Sequence, residues 1–224
     1  MRPDVKSSQP ITQLSRDIEN YLGAQICALF PGDDEHVATI MPNIGDAIRE
    51  TQNVVCRLLE WKASGFNKLI SWQYATFLYK LSRICTERGV SELATDRLFL
   101  LNKALHGLEL HTNVLLPKNF FLSHTNAAVF SRADYSDFCV FHQGITVGRK
   151  GDKRPTLEEY LVMYPGSMII GNCHVRKNTV LAPGVRLIDT DTPGDCYVFE
   201  EDGARVRFRG IDEIHAARFF DLNP

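Results

Sequence analysis

Large aliphatic or aromatic residues recur at every sixth position through residues 110–188. Neither the helical period of about 3.6 residues nor the two-residue alternation of a strand produces this spacing. A six-residue period is typical of a parallel β-helix, in which each hexad forms one short side and its apolar residue points into the coil. The thirteen phased positions are Leu110, Leu116, Leu122, Val129, Tyr135, Phe141, Val147, Leu157, Met163, Ile169, Val175, Leu181 and Leu187.

Two interruptions divide this pattern into three runs. One extra residue separates Leu122 from Val129, and a polar, charged segment occupies residues 149–155. Glycine, asparagine and proline recur near the corners of the third run, where tight turns need them. Ordinary strands with chance spacing would not place turn residues there. We therefore predict a left-handed parallel β-helix of hexapeptide repeats over residues 108–188.

The residues before and after this segment follow other patterns. Residues 1–107 are predicted to form an α-helical domain, with helices at about 11–29, 44–62, 67–88 and 92–105, a break at residues 30–34 and Gly89 as a C-cap. The stripe of Trp72, Phe77 and Tyr79 is interpreted as core or an oligomer contact rather than a cofactor site. Residues 189–224 are predicted to be a loop, a hairpin turning at Asp202-Gly203 and a tail, with a short helix over 211–219. The fold class is α+β.

Composition excludes several classes of function. The 224 residues are 44% hydrophobic with a formal charge of -2, which gives no nucleic-acid signal. No apolar run of about 18 residues predicts a membrane span, and the N-terminus lacks the apolar core of a signal peptide. The six cysteines form no C-x-x-C pair, so we expect buried free thiols rather than a metal site, and a reducing cytoplasm.

Motifs within the β-helix resemble those of the serine acetyltransferases. Residues 108–111 (LELH) and 121–124 (FLSH) look like the family's V-D-I-H and M-L-D-H. Residues 141–148 (FHQGITVG) look like Y-Q-G-V-T-L-G-G, residues 151–155 (GDKRP) like G-D-R-H-P, and residues 170–172 (IGN) like L-G-N. The resemblance implies an acetyl-CoA-dependent O-acetyltransferase that acetylates a hydroxyl of a small molecule and needs no metal.

The resemblance also assigns catalytic roles. His124 matches the family's general base, and Glu109 matches the aspartate that orients this base. Their separation of fifteen residues is close to one coil of three hexads, so we expect both side chains on adjacent coils, within hydrogen-bond range. Histidine suits a general base because its pKa lies near the working pH, and a carboxylate stabilises the imidazolium. His111 and His142 are interpreted as structural.

The donor site follows from the same resemblance. Gly148 matches the family glycine beside the thioester, where backbone N–H groups can stabilise the oxyanion of acyl transfer. The next family glycine is Arg149 here. The pantetheine of acetyl-CoA is expected to run along coils that contain Gly148, Gly166 and Ala182. The resemblance implies a homotrimer or a dimer of trimers, with the donor between neighbouring subunits.

The acceptor site departs from the family pattern. Ser123 replaces the family aspartate that helps to hold the ammonium of serine, whereas Lys153 and Arg154 keep the cationic carboxylate-binding pair. An unpaired ammonium in a desolvated pocket is costly, so we expect an acceptor with an acidic group and no free amine, or a sugar. The simpler alternative is that Lys153 and Arg154 belong to a solvated loop.

Three functions remain open from the sequence. The first is O-acetyl transfer to a small hydroxylated molecule, which includes a genuine but divergent serine acetyltransferase. The second is N- or O-acetyl transfer to a sugar or amino sugar, because hexapeptide enzymes do both. The third is a non-enzymatic scaffold that binds a partner protein. A scaffold has no need of a base and an orienting carboxylate, so Glu109 and His124 argue against the third.

Overall fold

A computed structural model of the protein describes residues 11–32, 34–201 and 205–223. The first half is helical, and the second half is a stack of short strands. The helices are α1 (Ile11–Leu29), α2 (Asp34–Ile40), α3 (Ile44–Arg57), α4 (Ser71–Glu87) and α5 (Glu92–His106), with a 3-10 helix at Met41–Asn43. The predicted fold class, helices followed by a parallel β-helix, is confirmed.

Capping residues mark the end of α4 and both ends of α5. The hydroxyl of Ser91 accepts a hydrogen bond from the backbone N–H of Ala94 at 3.3 Å, which satisfies one of the free donors at the start of α5. Gly107 ends the same helix with a left-handed φ of 61°, a conformation that glycine adopts without steric cost. Gly89, with a φ of 74°, follows the end of α4 in the same way.

Tertiary contacts and local turns shift the other helix boundaries. Helix α1 has the predicted limits, but α3 ends five residues before Lys62. It stops because the extended Leu58 pairs with Phe220 from the end of the chain. Helix α4 begins at Ser71, after a turn in which the side chain of Asn67 accepts a backbone hydrogen bond at 2.9 Å. Helix α2 was not predicted, since seven residues are too few to show a helical period.

Short strands form the β-helix. They are β1 (Glu109–Leu110), β2 (Phe120–Leu122), β3 (Val129–Phe130), β4 (Asp134–Tyr135), β5 (Cys139–Phe141), β6 (Thr146–Gly148), β7 (Thr156–Leu157), β8 (Val162–Met163), β9 (Met168–Ile170), β10 (His174–Val175), β11 (Thr179–Leu181), β12 (Arg186–Ile188), β13 (Cys196–Glu201) and β14 (Arg205–Gly210). In the described part of the chain they form three sheets: a first (β1, β3, β6, β9, β12), a second (β2, β5, β8, β11, β13, β14) and a third (β4, β7, β10).

Strand register brings the phased residues into columns. In the first sheet the successive partners are Leu110, Phe130, Val147, Ile169 and Leu187. In the second sheet they are Leu122, Phe141, Met163, Leu181 and Val198. Ten of the thirteen phased residues are buried, and Leu116 and Tyr135 are half-buried against the same core. The six-residue period therefore marks the residues that point into the core of the coil.

Val129 is the phased residue for which the prediction is wrong. Its side chain is 39% exposed, whereas Phe130 is 4% exposed and pairs with Val147 of the next coil. The connection between β2 and β3 contains two residues with a left-handed backbone, His124 (φ 52°) and Ala127 (φ 58°). With these turns the inward residues Leu122 and Phe130 are eight positions apart, one more than the predicted spacing of seven, so the inward position moves from Val129 to Phe130.

The β-helix continues beyond residue 188. Strand β13 pairs in parallel with β11, and Val198 enters the core with no exposed surface. Strands β13 and β14 then pair antiparallel, as the predicted hairpin requires. Its turn at Asp202-Gly203 lies outside the described residues. In place of the predicted terminal helix over 211–219, a 3-10 helix spans His215–Arg218.

Residues 211–222, here called the C-terminal strap, cover the outer face of the second sheet. Val140, Val162 and Val180 point outward from that sheet and are nevertheless fully buried. They are buried because Ala216 and Phe220 of the strap pack in the same apolar cluster. The strap thus replaces solvent along one side of the β-helix.

The strap also joins the β-helix to the helical half. The backbone N–H of Asp221 donates to the carbonyl of Arg57 at 2.7 Å, and the N–H of Leu59 donates to the carbonyl of Phe219 at 2.9 Å. The Asp221 carboxylate lies 3.2 Å from Lys62 Nζ. The terminal segment therefore has a structural role that its sequence did not indicate.

The aromatic stripe of α4 lies in the interior. Trp72, Phe77 and Tyr79 are 8%, 0% and 3% exposed, which confirms their interpretation as core. Phe77 packs within the helical half, Tyr79 against the interior of the β-helix, and Trp72 in the cluster beneath the strap. One helix thus contributes to all three cores and fixes the position of the helical half.

The six cysteines all lie in the described residues and form no disulfide, but not all are buried. Cys85, Cys139, Cys173 and Cys196 are buried, whereas Cys56 is exposed and contradicts the prediction. Within residues 11–32, 34–201 and 205–223, no group of three or more histidine, cysteine or acidic side chains is placed to hold a metal ion. Among the described helices, none is long and apolar enough to cross a membrane.

Candidate active site

Both halves of the chain line a cleft of about 770 Å³. The amino end of α4 supplies Ser71 and Trp72, and the last turn of α5 with its cap supplies residues 103–107. The β-helix supplies residues 124–126 from the connection between β2 and β3, and Gln143 from the next coil. This volume lies in the range of small-molecule sites. The cleft therefore forms where the helices dock against the first coils.

His124 lies on the wall of this cleft. The preceding residue, Ser123, is held by a hydrogen bond from its backbone N–H to the carbonyl of Phe141 at 2.8 Å. His124 itself is exposed, and its ring makes no hydrogen bond with any residue that the structure describes. An accessible imidazole with an unoccupied nitrogen is able to accept a proton from a bound molecule.

Glu109 lies one coil away but does not contact His124. Its backbone N–H donates to the carbonyl of Ala128 at 2.9 Å, at the end of the connection that carries His124. Its carboxylate lies 2.5 Å from Lys103 Nζ, and no hydrogen bond to His124 occurs in the described part of the chain. The Lys103 and Glu109 side chains are 53% and 40% exposed. Such an exposed ion pair contributes about 0–1 kcal/mol, so its exchange for another partner costs little.

Two further histidines lie close to His124 and are neutral at physiological pH. Burial lowers the pKa of His106 to about 4, and its Nδ1 lies 3.1 Å from the hydroxyl of Ser71. Burial, followed by the charge of His124, lowers the pKa of His142 to about 4. The His142 ring stacks on Tyr164, with 5.0 Å between centroids. His142 therefore lies beside His124, on its buried side. Because His142 is interpreted from the sequence as structural, its position so near the site was not expected.

These histidines predict a pH-dependent stability. Their folded pKa of about 4 lies below the ordinary value of 6.5, so between these values the unfolded chain binds protons that the folded chain does not. We expect the free energy of unfolding in urea to fall as the pH is lowered from about 6.5 to about 4. His142→Phe, which keeps the stack on Tyr164, should make the fall smaller. A free energy of unfolding that is constant over this window would contradict the assignment.

The residues predicted for the donor lie at opposite ends of the strands of the first sheet. Gly148 is the last residue of β6, and a Cβ built on it would lie 3.3 Å from Ile170 Cγ1. Gly166 and Ala182 belong to the turns that precede β9 and β12. Within one chain, Gly148 therefore lies at the carboxyl ends of these strands, and Gly166 and Ala182 lie before their amino ends.

The predicted acceptor residues are only partly brought together. Ser123 is 7% exposed and adjoins His124. Lys153 and Arg154 lie in the loop after β6, outside the cleft. Lys153 is exposed, and Arg154 Nη2 lies 3.0 Å from the Asp134 carboxylate. The two cations therefore do not reach His124 within a single chain.

Several residues of the cleft were missed from the sequence. Ser71, Trp72, Lys103 and His106 come from helices α4 and α5, and no local motif marks them. They reach the site because Gly107 ends α5 directly before the first coil. Only a fold that placed these helix ends beside His124 could have identified them.

Comparison with known proteins gives a consistent likeness. No family model matches the chain. It is 29% identical to a serine acetyltransferase of Synechococcus elongatus over 152 residues, which is 66% of this chain and 59% of the relative. It is 28% identical to one of Staphylococcus epidermidis over 154 residues, 64% of this chain and 68% of the relative. The match therefore spans about three fifths of the length of the Synechococcus relative.

Solved structures show the same fold. The serine acetyltransferase of Brucella abortus superposes with a TM-score of 0.68 at 17% identity, over 90% of this chain and 85% of that one. A serine acetyltransferase in complex with cysteine superposes with a TM-score of 0.67 at 18% identity, over 94% of this chain and 84% of that one. In both halves, the chain thus has the architecture of these proteins, helices followed by a left-handed β-helix.

Proposed function

We propose that the protein is an acetyl-CoA-dependent O-acetyltransferase of the serine acetyltransferase type, acting on a hydroxyl of a small molecule. The observation that carries the proposal is His124, an accessible imidazole on the wall of a polar cleft, at the position of the general base in the serine acetyltransferase motif. The sequence likeness to serine acetyltransferases supports the same activity.

The proposed reaction uses His124 as a shuttle for one proton. Its free ring nitrogen removes the proton of the acceptor hydroxyl while the oxygen attacks the carbonyl carbon of the thioester. Backbone N–H groups near Gly148 stabilise the negative oxygen that forms. The carbon–sulfur bond then breaks, and the imidazolium of His124 returns the proton to the sulfur. The products are free CoA and an oxygen ester.

Glu109 is proposed to orient His124 during this cycle. A carboxylate on the second ring nitrogen stabilises the imidazolium that forms when the proton is taken. In the structure this carboxylate is paired with Lys103. Because that pair is exposed and weak, the charge that develops on His124 can compete with Lys103 for the carboxylate.

The acceptor residues are proposed to be Ser123 and, from a neighbouring subunit, Lys153 and Arg154. Exposed apolar side chains on the outer face of the first sheet, Val129 at 39% and Ile188 at 50%, support contact between subunits in a homotrimer or a dimer of trimers. Gly148 lies at the opposite strand ends from Gly166 and Ala182. This arrangement suits an acetyl-CoA site shared between neighbouring subunits. The lack of disulfides among the described cysteines suits a reducing cytoplasm.

Binding of the donor tests the proposed function directly. Gly148→Val should raise the KM for acetyl-CoA about ten- to hundredfold, because the added methyl groups fill space beside Ile170 that the thioester needs. Gly210→Val is the matched control, since a Cβ there meets nothing within 4 Å. Steady-state kinetics give the KM, and isothermal titration gives the Kd. If acetyl-CoA does not bind to the unmodified protein, the proposed function is wrong.

Free L-serine is expected to be a poor acceptor. Its kcat/KM should lie well below the enzyme average of about 10⁵ M⁻¹s⁻¹, because Ser123 offers no charge to an ammonium. Ser123→Asp should raise kcat/KM for L-serine about tenfold, the effect of a hydrogen bond to a charged group. Ser131→Asp is the control, since its backbone N–H bonds to Val147 as that of Ser123 bonds to Phe141. An average kcat/KM for L-serine in the unmodified protein would show a divergent serine acetyltransferase.

A further inference from the structure

Lys103 holds the carboxylate proposed to orient His124 at the edge of the same cleft. Lys103, in the last turn of α5, and His124 both line the cleft. Lys103 Nζ lies 2.5 Å from Glu109 Oε2, so the Glu109 carboxylate lies beside a residue of the cleft wall. The backbone N–H of Glu109 donates to Ala128, at the end of the connection that carries His124. The proposed base and its proposed orienting group are therefore apart, and an ammonium group is paired with the latter.

A neutral imidazole is a weak competitor for this carboxylate. The ring of neutral His124 offers an uncharged N–H, whereas Lys103 offers a charged donor, and charge-assisted hydrogen bonds are roughly twice as strong. Two events favour opening of the pair: a positive charge forms on His124, or a negative charge reaches Lys103. The first arises only as the proton is transferred, so it cannot orient the base beforehand. A negative charge on a bound acceptor acts before proton transfer.

Lys103 is accessible to an anion that enters the cleft. Its side chain is 53% exposed, and that of Glu109 is 40% exposed. An exposed ion pair is weak because water screens both charges, so a second anion can take the ammonium group at small cost. The described lining of the cleft contains no aspartate or glutamate that would compete with this anion. The flexible four-carbon stem of lysine allows the ammonium group to turn from Glu109 toward the cleft.

We propose that Lys103 is a positioning residue that keeps Glu109 from His124 until an anionic group of the acceptor, a carboxylate or a phosphate, pairs with the Lys103 ammonium. The Glu109 carboxylate then accepts a hydrogen bond from the His124 ring. This inference rests on the proposed acetyl transfer and adds a residue that couples acceptor binding to the orientation of the base. The base is thus oriented only when an acceptor is present to receive the acetyl group.

A double-mutant cycle tests the exchange without any turnover. NMR follows the His124 ring of protein with ¹³C-labelled histidine through a pH titration, and the signal is assigned by its loss in His124→Ala. Lys103→Met should raise the titration midpoint by about half to one pH unit, because the released carboxylate stabilises the imidazolium. In the Glu109→Gln background, Lys103→Met should raise it by less than half as much, since only the loss of the ammonium charge remains.

The charged and titratable neighbours do not obscure this measurement. His106 and His142 stay neutral over the titrated range, because burial lowers the pKa of each to about 4. Lys62→Met is the matched control, since Lys62 lies outside the cleft, is 54% exposed and pairs with the Asp221 carboxylate at 3.2 Å. This variant should keep the midpoint of the unmodified protein. A rise in Lys103→Met that is equally large with and without the Glu109 carboxylate, or no rise at all, would overturn the exchange.

Sulfate tests whether an anion triggers the exchange, because it stays ionised throughout the titration. In the unmodified protein, sulfate should raise the midpoint above that in sodium chloride of equal ionic strength. The rise should be lost in Lys103→Met and in Glu109→Gln. Persistence of the rise in Glu109→Gln would show a direct effect of sulfate on the ring and contradict the proposal, as would no rise in the unmodified protein. Either result leaves acetyl transfer intact, whereas failure to bind acetyl-CoA in isothermal titration overturns the proposed function itself.

Discussion

In the His124→Ala variant, turnover falls by about two to four powers of ten, the range for loss of a general base. Acetyl-CoA binding should be retained, because the positions proposed for the donor, Gly148, Gly166 and Ala182, lie in other strands and turns than His124. Glu109→Gln should lose less, because the role proposed for this residue is to orient the base and not to transfer the proton. Steady-state kinetics with the preferred acceptor give kcat, and isothermal titration gives the Kd for acetyl-CoA.

His111→Ala provides the control for this variant. Its Nε2 lies 3.3 Å from Asp96 and its ring packs against Phe99, at a distance of 5.1 Å between centroids. The same substitution at this position should leave kcat close to that of the unmodified protein. Near-normal turnover by His124→Ala would contradict the catalytic assignment, and an equal loss in both variants would point to damaged folding instead.

The second large effect is on stability. Phe141→Ala should lower the free energy of unfolding by about 3–5 kcal/mol, the usual cost of removing a buried phenylalanine ring. The ring is 1% exposed and lies edge-on to Phe130 at 5.0 Å and to Tyr135 at 6.1 Å, between centroids. Its removal leaves a cavity in the centre of the coil. The strand that carries it is paired with a strand of the coil on each side, so it cannot move inward alone to fill the cavity.

Urea unfolding followed by circular dichroism measures this difference. Phe208→Ala is the matched control, because Phe208 lies on β14 and is 42% exposed. Its free energy of unfolding should change by about 0.5 kcal/mol or less, as for surface substitutions. If Phe141→Ala loses no more stability than Phe208→Ala, then the phased residues do not form the core described above.

The β-helix was predictable because its packing unit is local. Each hexad contributes one inward residue, so the period in the sequence is the period of the coil, from Leu157 through Leu187 without a break. The prediction was wrong at Val129, where two left-handed residues lengthen a turn. A turn of that kind leaves no periodic trace in the sequence. The C-terminal strap was likewise unpredictable, because its role depends on contacts with α3 and the second sheet.

The candidate site was likewise only partly predictable from the sequence. The motif around His124 marks a position on one coil, and the structure shows it at a cleft. Trp72 and His106 come from helices distant in sequence, and only the docking of those helices reveals them. The pairing of Glu109 with Lys103 was also hidden, because spacing predicts that two side chains can meet but not which of several partners a carboxylate takes.

The chemical nature of the product tests the central claim most directly. The purified protein is incubated with acetyl-CoA and a hydroxylated acceptor, CoA thiol is measured, and the separated product is treated with alkaline hydroxylamine, which cleaves oxygen esters and leaves amides intact. Thiol should appear only when the acceptor is present, and the product should lose its acetyl group to hydroxylamine. Both signals should nearly disappear in His124→Ala. The absence of acceptor-dependent thiol release with every hydroxylated compound, or an acetyl group that resists hydroxylamine, would contradict O-acetyl transfer.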